Sequence, residues 1–174
     1  EAFNIDGFGK KIVENFWKLK LIKLPQDIFL LDFKTIENLE GWGKQSVGNL
    51  KYSIEQKKNI SLERFIYSLG IRHIGLENAK LLSKYFKSFS NFKELSKKNN
   101  YNELLNIDGI GETQVNSVRN FFNNITNLSV VEKLQKILTI KDSLSEKKNG
   151  LLKNQTFLLT GKLNGISRAE AKSL

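Results

Sequence analysis

The sequence predicts a mostly α-helical fold: four tandem units of helix, tight turn and helix, followed by the opening of a small α/β module. Three observations carry that prediction. The segments "NIDGFGKKIVENF", "NLEGWGKQSVGNL", "GIRHIGLENAKLL" and "NIDGIGETQVNSV" superimpose without gaps, their last turn glycines falling at Gly9, Gly43, Gly75 and Gly111, a period of 32 to 36 residues. Apolar residues recur four and then seven positions after each of those glycines, which is one face of a helix. Past Asp142 the vocabulary turns polar and charged, and a short apolar run, "QTFLLTGKL", follows.

Each unit begins with an apolar residue ahead of the turn: Ile5, Leu39, Ile71 or Ile107. Gly7, Gly41 and Gly109 stand where the chain must reverse, a place suited to the positive φ that glycine tolerates. The third unit has His73 there, which raises the expectation that its turn differs. Phe8, Trp42, Ile74 and Ile110 sit one residue before the last glycine and are expected to point inward and pin the turn. After that glycine come Val13, Val47, Ala79 and Val115, then Phe16, Leu50, Leu82 and Val118, predicting a buried helix face in every unit.

The leading helices of the last three units are assigned to "IFLLDFKTIENL", "LERFIYSL" and "NFKELSKKNNYNELL". The first unit has too few residues ahead of its turn, so its leading helix is expected upstream of residue 1. Residues 123–140 read as a closing helix with Val131, Leu134 and Leu138 on one side. The domain reading is 1–141 for the repeats, 142–153 for a linker of polar, charged composition, and 154–174 for a truncated module. In that last piece a strand ends at Gly161, and a helix starts at Ser167 with Glu170 in capping-box spacing.

Composition narrows the function. The chain has 174 residues, no Cys and one His, which argues against a disulfide framework or a Cys/His zinc site. No apolar run approaches the roughly 20 residues of a membrane span, and no signal peptide starts the chain. A first residue of Glu and the lack of Met read as a piece of something longer. The net charge of +10 favours a polyanionic partner, nucleic acid before membrane. Residues 1–140 carry +6 of it, so a grip on DNA is expected to come largely from backbone amides.

The turn itself supplies those amides. The first turn of a helix leaves N–H groups unpaired at the positive end of the macrodipole, a ready site for phosphate. Glycines beside it allow close approach, and Lys10 and Lys44 add charge directly after Gly9 and Gly43. Such contacts position a nucleic acid without reading its bases.

These residues resemble the helix-hairpin-helix motif. Four copies in tandem, opened by "EAFNIDGFG" and containing "RFIYSLGIRHIG", are similar to the helix-hairpin-helix domain of bacterial NAD-dependent DNA ligases over roughly residues 1–140. The strand, glycine loop and "SRAEA" at the end resemble the opening of a BRCT domain, which follows in the same ligases. The resemblance implies a DNA-binding set of Gly7, Phe8, Gly9, Lys10, Gly41, Trp42, Gly43, Lys44, Arg72, His73, Ile74, Gly75, Gly109, Ile110, Gly111 and Thr113. It implies nicked duplex DNA, held from the minor-groove side, and the remaining ligase domains as partners. It also implies a monomer without membrane attachment in the bacterial cytoplasm at the nucleoid. NAD, magnesium and zinc belong, on this resemblance, to the parent enzyme and not to this piece, which should be inactive alone.

Other readings bear on single residues. Asn4 and Asn106 stand where the Lys-x-Asp-Gly motif of such ligases has its adenylated lysine, and an amide cannot take that role, so no catalytic nucleophile is assigned. Asp6, Glu40 and Asp108 read as turn formers and not as a metal cluster. "TGKL" lacks the earlier glycine of a phosphate-binding P-loop. His73, beside Arg72, either touches phosphate or fills its turn. Trp17, Trp42 and the phenylalanines at helical spacing are expected in the core. The alternatives for function are a helix-hairpin-helix module of another DNA-processing protein, such as an excision nuclease subunit, and a protein-interaction scaffold.

Overall fold

Helix α1 (Lys10–Lys18) starts immediately after Gly9, and the pattern repeats: α3 (Lys44–Gln56) after Gly43, α5 (Leu76–Phe86) after Gly75, α7 (Glu112–Phe122) after Gly111. The computed structural model describes residues 2–143. In all four helices the residue seven positions past the glycine is buried, and three of the four residues at position four are buried with it. Val13 is the departure: it is 36 % exposed, against 6 %, 0 % and 3 % for Val47, Ala79 and Val115. Trp17, expected in the core, is 60 % exposed. Both lie on α1, which no helix of the described residues precedes.

The leading elements differ from expectation in kind. A 3-10 helix (Pro25–Leu30) and α2 (Phe33–Glu37) replace one long helix, because Asp32 stops and restarts the chain. Its carboxylate accepts hydrogen bonds from the Lys34 N–H and the Thr35 hydroxyl. Helix α4 (Leu62–Ser68) leads the third unit as predicted. Ahead of the fourth unit, α6 (Phe89–Lys98) ends at Asn99 in a left-handed conformation, φ 51°. A 3-10 helix (Tyr101–Asn106) then leads into the turn. Asparagine tolerates that conformation better than most residues, which explains the break within "KKNNYN".

The closing helix α8 (Ile125–Ile137) is capped by Asn124, whose side chain accepts from the N–H groups of Thr126 and Asn127. Val131, Leu134 and Leu138 are buried as predicted, but Leu138 is already extended and Thr139–Lys141 forms a strand, β2. It pairs in parallel with β1 (Asn59–Ser61), with Ile60 opposite Ile140. This correction to the predicted helix over 123–140 is tertiary in origin, because three residues acquire strand geometry from a partner far away in sequence.

Aromatic rings tie the units together. Phe65, Phe86, Phe89, Phe92 and Phe122 form a chain of ring contacts with centroids 4.8 to 6.4 Å apart, joining α4, α5, α6 and α7. Phe8, Phe16 and Trp42 do the same for the first two units, at 5.8 and 5.5 Å. Such pairs contribute about 0.5–1.5 kcal/mol each beyond the area they bury. The linker from residue 144 onward and the BRCT-like strand and helix of 154–174 lie outside the described residues.

Candidate nucleic-acid interface

One local geometry is written four times. The N–H groups of Phe8, Trp42, Ile74 and Ile110 donate to the carbonyls of Ile5, Leu39, Ile71 and Ile107 at 3.0 to 3.2 Å, closing a four-residue turn. The third residue of each turn has positive φ: Gly7 73°, Gly41 80°, His73 62° and Gly109 90°. The third turn thus matches the others despite its histidine. His73 has a brace that the others lack, since the Asn78 side-chain amide donates to its carbonyl at 2.9 Å.

The two glycines of each hairpin serve different needs. Gly7, Gly41 and Gly109 are favoured by backbone conformation. Gly9, Gly43, Gly75 and Gly111 are extended N-cap residues, with φ between −78° and −138°, which any residue adopts. A Cβ added to Gly9, Gly43 or Gly75 would meet nothing within 4 Å, and one on Gly111 only the Gln114 Oε1 at 3.4 Å. Neither strain nor packing within the described residues asks for the second glycine. What it leaves open is solvent directly beside the first turn of a helix.

Groups available at that spot differ among the hairpins. Lys10 is exposed and only loosely paired with Glu14, at 3.8 Å. Lys44, Arg72 and His73 are exposed, and none has an ion-pair partner among the described residues. Glu77, in the first turn of α5, is neutralised by Lys80 at 2.7 Å. The fourth hairpin has Asp108 and Glu112, both exposed, and no base in its loop or first turn. Thr113 there is exposed, its carbonyl accepting from the Ser117 hydroxyl. The N–H groups of Gly43 and Gly111 are already satisfied by Ser46 Oγ and Gln114 Oε1, at 3.0 and 3.2 Å. Those of Gly9 and Gly75 have no acceptor among the described residues.

Four of the predicted site residues lie between the turn and the helix start and help to close the turn. Ile74 and Ile110 are buried, Phe8 and Trp42 half-buried, and the N–H of each is used inside its turn. They shape the hairpin, and their N–H groups are committed to it. Sequence reasoning missed Asn78, Ser46 and Gln114, which tune the helix starts. The signal for all three was a polar residue three positions after the glycine.

Asp6, Glu40 and Asp108 are exposed, one to a hairpin. No group of three or more His, Cys, Asp or Glu side chains able to hold a metal comes together among the described residues. No helix among them is long and apolar enough to cross a membrane.

Turns with inward apolar residues, each opening a helix whose N-cap is a glycine, define a tandem helix-hairpin-helix array. Residues 64–131, which include the third and fourth hairpins, match the family model described as "Helix-hairpin-helix motif". Over its full length the chain is 68 % identical to a DNA ligase of Pelagibacter ubique (strain HTCC1062), covering 26 % of that protein. Over 99 % of its length it is 43 % identical to a DNA ligase of Rickettsia canadensis (strain McKiel) and 44 % to one of Rickettsia rickettsii (strain Sheila Smith), covering 27 % of each. By these matches the chain is similar to a helix-hairpin-helix region of the DNA ligases. It spans about a quarter of the length of the curated relatives it matches.

Proposed function

We propose that this chain holds duplex DNA by its phosphates, without sequence preference, as the helix-hairpin-helix part of an NAD-dependent DNA ligase that seals nicks in replication and repair. The observation that carries this reading is the bare second glycine: an N-cap position open to solvent in hairpin after hairpin, which the fold itself does not demand. A phosphate oxygen seated there meets unpaired N–H groups, the positive end of the helix dipole and, in the first three hairpins, a nearby base. The grip approaches from the minor-groove side and reads no bases, because backbone amides recognise charge and shape alone.

In this reading adenylyl transfer from NAD, with magnesium, and the zinc site belong to other parts of the ligase, at the nucleoid in the cytoplasm. The hairpins keep the nicked duplex in place while that chemistry proceeds, in a monomeric enzyme.

Binding to duplexes of unrelated sequence, with and without a nick, titrated over salt, tests the reading. The expected result is sequence-independent binding whose log affinity falls linearly with log salt, with a slope worth a few phosphates. Salt-insensitive or absent binding at low salt would overturn it in favour of a protein-interaction scaffold.

A further inference from the structure

A polar cleft of about 210 Å³ lies beside the first hairpin, walled by Asn4, Lys57, Asn59, Ser61 and Arg64. Three stretches of chain meet there: the residues just ahead of the first turn, the end of α3 with β1, and the first turn of α4. No carboxylate is among its lining residues. It is separate from the second and third hairpins, because Lys57 follows the last turn of α3 and Arg64 lies in the first turn of α4, each at the opposite end of its helix from the hairpin that the helix adjoins.

The charge in this cleft is unanswered. Lys57 is half-buried and Arg64 exposed, and neither forms an ion pair among the described residues. Neither has an acidic residue three or four positions away, where Lys58, Lys80 and Lys97 each find a glutamate at 2.7 Å. The carboxylates nearest in sequence are engaged elsewhere: Glu55 with Lys58, and Glu63 with the Ser61 hydroxyl, which donates to it at 2.7 Å. The Arg64 guanidinium makes one long hydrogen bond, 3.5 Å to the Ala2 carbonyl, which leaves its other donors open. The side chains of Asn4 and Asn59 are exposed and have no partner among the described residues. A concave site lined by one sign of charge focuses its field and draws a counter-charge.

We propose that the cleft is a phosphate site outside the four hairpins, in which Arg64 and Lys57 hold a backbone phosphate of the DNA strand that passes the first hairpin. A guanidinium presents parallel N–H groups to two oxygens of one phosphate, and the ammonium adds a point charge. The asparagine amides supply neutral donors beside them. Asn4 joins the cleft to the hairpin: it lines the one, and the next residue, Ile5, supplies the carbonyl that closes the turn of the other. Where the hairpins offer amide dipoles, the cleft offers whole charges, so its contribution is read most directly in the salt dependence of binding. The choice of DNA as the source of the phosphate rests on the reading of the hairpins.

The test uses the whole ligase polypeptide carrying this sequence and a nicked duplex of unrelated sequence, titrated over salt, with the melting temperature of every variant measured alongside. Lys57→Gln combined with Arg64→Gln should lower affinity roughly tenfold and reduce the steepness of log affinity against log salt by about 0.9, the share of one phosphate. Lys133→Gln, which removes an exposed charge on α8, should leave the steepness as it is. Arg64→Lys should keep the steepness and lose part of the affinity, because the charge stays while the fork goes. An unchanged steepness in the double variant beside a reduced one in Lys10→Gln would overturn the cleft and leave the hairpin reading standing. Absence of binding by the parent would bring both down. A melting temperature raised by inorganic phosphate in the parent but not in Arg64→Gln, with duplex binding unaltered, would make free phosphate the ligand. A double variant that melts earlier at unchanged steepness would put a carboxylate of the same polypeptide in the cleft, and either result overturns the proposal.

Discussion

The ring of Trp42, held between the two glycines of the second hairpin, stands 5.5 Å from the ring of Phe16 on the helix that follows the first. Phe16 in turn meets Phe8 of its own hairpin at 5.8 Å. The first two hairpins are therefore coupled through one fully buried side chain. Phe16→Ala should cost about 3–5 kcal/mol in chemical denaturation. A double-mutant cycle of Phe16→Ala with Trp42→Ala should give a coupling of about 0.5–1.5 kcal/mol. Strict additivity would mean that the hairpins are independent.

Asp at Gly9 or Gly75 should separate folding from binding. The aspartate is a better N-cap than glycine and sits at the positive end of the dipole, so stability should hold or rise by ~0.5 kcal/mol. Its carboxylate takes the N–H groups and repels phosphate, so duplex affinity should fall roughly tenfold or more, about 1.4 kcal/mol. Thermal melts and binding isotherms on the same Gly9→Asp sample read both. An unchanged affinity would remove the first hairpin from the interface.

His73 occupies at φ 62° a position that its three counterparts give to glycine. His73→Gly should leave stability within about 0.5 kcal/mol, because relief of the left-handed strain offsets the added freedom of the unfolded chain. His73→Val should cost about 2 kcal/mol, the β-branched side chain having no comfortable place there. Urea midpoints of the two variants settle the comparison. A lower duplex affinity for a stable His73→Gly would assign the imidazole to phosphate as well as to the turn.

The hairpins should not contribute equally. The fourth pairs Asp108 and Glu112 with no base, and its Gly111 N–H is already taken by Gln114. Gly111→Asp should change duplex affinity less than about twofold, against the roughly tenfold loss expected at Gly9. Measuring the four Gly→Asp variants side by side, at one salt concentration, ranks the sites. A loss at Gly111 as large as at Gly9 would show that local charge does not set the ranking.

Asp32 should make a small, acid-sensitive contribution. The Thr35 hydroxyl and then the Lys34 N–H stabilise its carboxylate and hold its pKa below the usual value. A lowered folded-state pKa means stability that is present above the unfolded pKa and lost as pH falls through the folded one. Asp32→Ala should therefore be less stable than the parent at neutral pH. Denaturation midpoints below pH 3 should bring the two closer together, and a gap that stays constant with pH would place the effect elsewhere.

The sequence by itself determined the four hairpins. Their glycines, the inward apolar residue between them and the spacing of the helix that follows are local requirements of φ, hydrogen bonding and helical period, and each was legible at Gly9, Gly43, Gly75 and Gly111. Even the histidine in the third turn obeyed the shared pattern, because the surrounding geometry overrides one residue's preference. Tertiary structure alone decided the rest. The pairing of Asn59–Ser61 with Thr139–Lys141 rests on contacts between residues far apart in sequence, and three residues carry too little local preference to announce a strand. The exposure of Val13 and Trp17 is of the same kind. Helical spacing fixes which face of α1 is apolar, while only the packing of other elements determines whether that face is covered.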